Sequence, residues 1–244
     1  MKPLPQKIEA CPIIESVLEI RFSSKFPSDA IFGIIYKSIE EDFSGDAPKT
    51  LPILQLPEQL RNNDPNLKYQ PFYKLSRGNV SLSIGPKTVM FSNLAPYVGW
   101  NDWSNFFNNI LEKIDETKVF SQVERFGLRY INSFNSNLLQ KINIEFKINN
   151  KSYYENPLNI RTEIHDDELV KILQLVNVLD PTNKMPDRRT IIDIDCIHNL
   201  NQPSDQFFKN YMQLIEHAHN KEKELFFSLL SDELLLSLKP SYGG

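Results

Sequence analysis

Apolar and polar residues begin to alternate at Ser16 of PIIESVLEIRF, residues 12–22, where Leu18, Ile20 and Phe22 take one face and Glu19 and Arg21 the other. A period of two predicts a half-buried strand. In the following SDAIFGIIYKSIEEDF the period lengthens, with Phe32, Ile35, Ile39 and Phe43 at helical spacing and Ser28 placed to accept from an orphan first-turn amide. A helix over about 29–43 is expected. Pro48, Pro52, Pro57 and Pro65 then interrupt both ladders and helices. Residues 45–70 therefore read as a long irregular crossing with a single turn near Glu58.

Three short alternating runs follow in FYKLSRGNVSLSIGPKTVMFSN, separated by Arg77-Gly78-Asn79 and Gly85-Pro86-Lys87. Both separators have turn chemistry, which predicts an antiparallel meander. WNDWSNFFNNILEKIDE places Trp103, Phe106, Phe107, Ile110 and Ile114 on one helical stripe, and VERFGLRYINSF, residues 123–134, returns to strand periodicity. Beyond it INIEFKI alternates at Ile142, Ile144, Phe146 and Ile148 and predicts a strand. ELVKILQLVNVLD, residues 168–180, fits a helix through Leu169, Ile172, Leu173 and Val176, but its β-branched residues and the preceding Asp166-Asp167 turn favour a hairpin strand. RTIIDIDCIHN predicts another strand, and Pro203-Ser204 opens the longest helix. On that helix Phe208, Tyr211, Ile215, Ala218, Leu225 and Leu229 form a stripe in which Glu222 fills one position. Ser231-Asp232 reads as a fresh cap for a short terminal helix.

The sum is an α+β protein: antiparallel sheets packed by helices, in two loosely similar fused halves, 1–137 and 138–244, the second ending in a long helix. No residue-level repeat accompanies the likeness of the halves. With 244 residues, 41% of them hydrophobic, the chain can bury a core without a disulfide or metal staple. Cys11 and Cys196 lack zinc spacing and read as small core residues in a reducing cytoplasm. Neither a signal peptide nor a run of about 18 apolar residues is present, so membrane insertion is not expected. A net charge of −4 disfavours a surface devoted to nucleic acid, leaving only a local patch of Arg21, Arg125, Arg129 and the Lys184 to Arg189 stretch.

PIIESVLEIRF, VERFGLRYIN, IIDIDC and ELFFSLLSDEL, taken in that order along the chain, resemble a sporadically distributed, functionally uncharacterised family of bacterial proteins. The resemblance implies a soluble accessory protein of patchy occurrence, as carried on mobile or defence-related genetic islands. It implies no reaction, cofactor or catalytic residue.

The candidate chemistry sits in the strand 123–134. Residues two apart share a face, so Arg125, Gly127 and Arg129 point one way and Phe126, Leu128 and Tyr130 the other. If this strand neighbours 12–22, Glu19 and Arg21 join them. One reading is a solvated ladder of ion pairs, each contributing at most about 1 kcal/mol. The other is an anion pocket, with three guanidiniums against one carboxylate and Gly127 permitting close approach. Asp193 and Asp195 share a strand face and could hold a hard cation, with His165 as a third ligand if its strand is adjacent; the favoured reading is simply the outward polar face of a strand beside Arg188 and Arg189. His217 and His219 lie roughly 200° apart around a helix and cannot face one ion.

With no nucleophile elbow and no glycine-rich loop opening a helix, no catalytic residue and no cofactor is assigned. The expected function is a non-enzymatic binding or scaffold protein, working with a partner protein. The long helix offers either core or a homodimer face, and the arginine face would contact an anionic ligand. A metal-dependent phosphoesterase using Asp193 and Asp195 is the alternative.

Overall fold

The computed structural model describes residues 3–45, 47–65, 67–179 and 188–242. Lys7–Ile8 (β1) precedes the strand Ile13–Ser23 (β2) and the helix Ser28–Ile39 (α1). The crossing holds Lys49–Thr50 (β3) and Glu58–Asn63 (α2), and the meander follows as Tyr73–Arg77 (β4), Val80–Gly85 (β5) and Thr88–Leu94 (β6). Next come Trp100–Glu116 (α3) and Gln122–Phe134 (β7), then two hairpins, Lys147–Ile148 (β8) with Lys151–Ser152 (β9) and Leu158–Asp166 (β10) with Leu169–Leu179 (β11). Arg188–Pro203 (β12), Ser204–Leu229 (α4), Asp232–Ser237 (α5) and Pro240–Ser241 (β13) complete the order. The α+β class and the antiparallel, helix-packed sheet are as the periodicity predicts.

Two compact units form, each from separated stretches of chain. The first comprises Met1–Ile14, Arg129–Cys196 and Glu216–Gly244; the second comprises Glu15–Leu128 and Ile197–Ile215. Halves at 1–137 and 138–244 are thus not the stretches along which the contacts cluster.

In the second unit the hydrogen-bonded order runs β7-β2-β6-β5-β4-β3. Antiparallel register places Leu18 opposite Phe91, Phe91 opposite Leu82 and Leu82 opposite Leu75, while Ile20, Val89 and Ile84 form the parallel row beside it. These rows are the floor of the core, every member at most 1% exposed. Ile31, Ile35 and Ile39 of α1 and Trp103, Phe107, Ile110 and Ile114 of α3 are equally inaccessible. Phe91 meets Phe106 edge to face at 6.2 Å. Each such ring removes about 150–250 Å² from water, about 4–6 kcal/mol at about 25 cal/mol per Å².

In the first unit the order is β10-β11-β12-β7, with β1 paired to β13 in a separate ribbon. β10 and β11 form a hairpin whose register closes at Asp166 opposite Leu169, so 169–179 is a strand. Its odd-numbered residues Leu169, Leu173 and Leu175 are buried, as are Ile192, Ile194 and Cys196 of β12 and Ala218, Phe226 and Leu229 of α4.

Four local expectations fail. INIEFKI is not a strand: only Lys147–Ile148 pairs, because Ile142 bridges to Leu230 and the Asn143 amide donates to the Leu229 carbonyl at 2.7 Å, tying this segment to the end of α4. Ser28 does not cap α1; Pro27 occupies that place, and its carbonyl accepts from the Ala30 amide. On α4 it is Phe207 and Phe226, not Phe208 and Leu225, that are buried, a rotation of about 100° per residue step. Cys196 is buried, but Cys11 is exposed. The expected cap at Ser231 is present, its hydroxyl accepting from the Leu234 amide at 3.2 Å.

Candidate anion-binding face

Opposite the core rows, the second unit's sheet presents a polar face whose order the register dictates. Glu19 stands opposite Met90 and Met90 opposite Ser83; Ser92 stands opposite Ser81; Arg21 stands opposite Thr88. Directly paired residues share a face, so the side opposite the core rows carries Ser81, Ser83, Thr88 and Ser92, all of them buried, together with Met90, and beside them the partly exposed Glu19 and Arg21 of β2. β7 is the other neighbour of β2, which brings Arg125 to Glu19.

Glu19 Oε2 accepts from Arg125 Nη2 at 2.6 Å and from Arg21 Nε at 3.0 Å. Two guanidiniums therefore share one carboxylate oxygen. Side-chain exposures of 21% for Arg125, 27% for Arg21 and 13% for Glu19 place the trio in a half-desolvated setting, where a charge pair interacts more strongly than at an open surface. Arg125 Nε is buried and has no hydrogen-bond partner among the described residues. Arg21 stacks over the Tyr69 ring at 4.3 Å, which fixes its plane. The Tyr69 hydroxyl donates to Glu124 Oε2 at 2.5 Å and accepts from Lys68 Nζ at 2.9 Å. That last bond holds the Lys68 ammonium above its ordinary pKa, so it remains charged. Three cations thus stand beside two carboxylates.

Arg129 takes a different role. Its Nε donates to Asp193 Oδ1 at 2.8 Å and its Nη2 to Asp193 Oδ2 at 2.5 Å, a bidentate clamp within the first unit. Arg125 and Gly127 belong to the second unit. Gly127 itself is buried.

The clamp also engages both oxygens of Asp193. His165 lies on β10, and β11 intervenes between β10 and β12, so its strand is not adjacent to that of Asp193 and Asp195. Among the described residues no group of three or more His, Cys, Asp or Glu side chains is placed to hold a metal ion. His217 is exposed; His219 is buried, its Nδ1 at 3.2 Å from the Tyr130 hydroxyl. Of the basic stretch 184–189, Lys184 lies outside the described residues, and Arg188 pairs with Glu155 at 3.3 Å.

Sequence reasoning missed Tyr69, Lys68 and Glu124, because the first two sit in the proline-interrupted crossing, where no period assigns a face. Ser81 and Ser83 share a face by the alternation of VSLSIG, but that pattern does not show that both are buried. No protein-family model and no curated protein matches this chain. Among the described residues no helix is long and apolar enough to cross a membrane.

Proposed function

We propose that this is a non-enzymatic binding or scaffold protein that acts as a homodimer beside a protein partner and uses the Glu19–Arg21–Arg125 face to grip a carboxylate or phosphate group of that partner. One observation carries the reading: Arg21 and Arg125, each still partly exposed, share a single carboxylate oxygen, which leaves surplus positive charge beside Glu19. Guanidiniums held in fixed planes lose little freedom when they bind a planar or tetrahedral anion, which favours them over flexible ammonium groups. The resemblance to sporadically distributed bacterial proteins supports a cytoplasmic accessory role in a defence or mobile-element system.

Inorganic phosphate is the probe. At matched ionic strength it raises the melting temperature of the full chain above that in chloride, and Arg125→Met and Arg21→Met each abolish the rise. No phosphate-specific rise, or an undiminished rise in Arg125→Met, sinks the reading.

A further inference from the structure

β10 ends the strand order of its sheet, and no described strand pairs with its outer side. Its residues Asn159, Arg161, Thr162, Glu163 and His165 are exposed, so no other described part of the chain covers that edge. An edge of this length is a template for pairing with another chain unless something guards it.

Backbone geometry says which groups the edge offers. Asp166 stands opposite Leu169 across a two-residue turn, with Asp167 at φ 51°. The pair that closes such a turn exchanges its hydrogen bonds across the hairpin, and bonded pairs then alternate along it. Ile164, Thr162 and Ile160 therefore turn their amides and carbonyls toward β11. Those of His165, Glu163, Arg161 and Asn159 point outward.

Side chains follow the same alternation. Arg161, Glu163 and His165 lie on the face of Gln174, Ile172 and Val170; Ile160 and Ile164 lie on the face of Leu175 and Lys171. Arg161 Nη1 and Glu163 Oε1 are 2.9 Å apart, each side chain about half exposed.

We propose that β10 is the seam of the homodimer, the edge of one copy pairing antiparallel with the same edge of a second copy about a two-fold axis at Thr162. This rests on the homodimer reading above and names its surface. A two-fold antiparallel pair centred on Thr162 sets Arg161 opposite Glu163 of the other copy, with both residues offering their outward backbone groups. It sets Ile160 opposite Ile164 on the other face, which extends the apolar layer across the seam. Centring on Arg161 or on Glu163 would set like charges against each other, whereas centring on Thr162 sets opposite charges together and pairs the strand over its whole length. Edges guarded against self-pairing carry charge that repels or projects into a second copy. Here the two signs are opposite and two residues apart, so the strand complements itself. The intrachain pair becomes a ring of four alternating charges.

Sedimentation velocity on the full chain over a dilution series tests the seam. The wild type is a dimer. Arg161→Glu, which makes the ring four carboxylates, and Glu163→Arg, which makes it four guanidiniums, each weaken self-association by at least about tenfold, the effect of one like-charge contact. The double variant carrying both reversals restores it. An equimolar mixture of the two single variants forms a heterodimer, which also shows that both are folded. A wild-type dimer unaffected by the reversals overturns the seam while leaving the homodimer standing. Weakened singles with no recovery in the double variant or the mixture overturn the seam as well. A monomer at every concentration overturns both readings.

Discussion

Glu222 occupies a core position on α4, 5% exposed, where the helical pattern calls for a hydrophobic residue. Burial pushes its pKa from the ordinary 4.5 up to about 8, against a small opposing effect of Lys223. Elsewhere in the same unit Lys171 of β11 donates to Asp166 at 2.7 Å, and Lys221 reaches the same carboxylate. Cys196 on β12 feels the Glu222 charge and is itself held protonated by burial. One turn away, His219 is pressed the other way, its pKa lowered to about 3 by burial.

The signs follow from which state holds the proton. Between 4.5 and about 8 the native Glu222 keeps a proton that the unfolded chain has released, so stability falls as pH rises. Between 6.5 and about 3 the unfolded chain takes a proton that native His219 refuses, so stability falls as pH falls. The two slopes cancel between 4.5 and 6.5, a plateau with a falling limb on the alkaline side.

Glu222→Gln removes that limb. At about 1.4 kcal/mol per pH unit, the stability gained by the variant over the wild type grows by about 3 kcal/mol from about pH 5 to about pH 7. The buried amide has its own cost, but that cost is independent of pH. Urea denaturation of both proteins across this range measures the difference. Parallel curves for variant and wild type would refute the burial argument, whatever their offset.

Breaking the Arg129–Asp193 clamp by Asp193→Asn costs about 1–2 kcal/mol, discounted for the 43% exposure of Arg129. A double-mutant cycle with Arg129→Met returns most of that as coupling. Gly85→Ala destabilises by about 1–3 kcal/mol in a thermal melt, since a Cβ there would stand 2.7 Å from the Gln70 carbonyl oxygen, a backbone atom that cannot step aside. A neutral result at Gly85 would show that the crossing is loosely held. Ser231→Ala removes the cap of α5 and lowers stability by about 1 kcal/mol in chemical denaturation; Ser231→Asp retains it.

Where a period was long and one face alone was buried, the sequence was a sufficient guide. β2, α3 and the meander each satisfy a pattern of five or more positions that no other element type fits. INIEFKI shows the limit: its alternation is as clean as that of β2, yet Asn143 donates its side-chain amide to the Ser228 and Leu230 carbonyls, and the chain is used as a strap over a helix end. Alternation specifies which side chains turn inward, not whether a neighbouring strand supplies the hydrogen bonds. The helix α4 shows another limit, because over 26 residues its inward face is set separately by what each end packs against, and no single stripe describes it. At the polar face, Arg21, Arg125 and Glu19 were legible as a group because two alternating strands both named them. The pairing of Arg129 with Asp193 was not, since periodicity along β7 carries no mark of which neighbouring strand supplies a partner.

The interleaving of the two units bears on how the chain can be made. The second unit needs residues through Ile215, and the first needs β13 at Pro240–Ser241 to pair with Lys7–Ile8. At about 5–20 residues per second, the ribosome exposes the earlier strands for many seconds before either core can close. Completion of the first unit therefore waits on the last stretch of translation, and a message cut short before Ile215 would yield two unfinished cores, with no intact amino-terminal domain left to function alone.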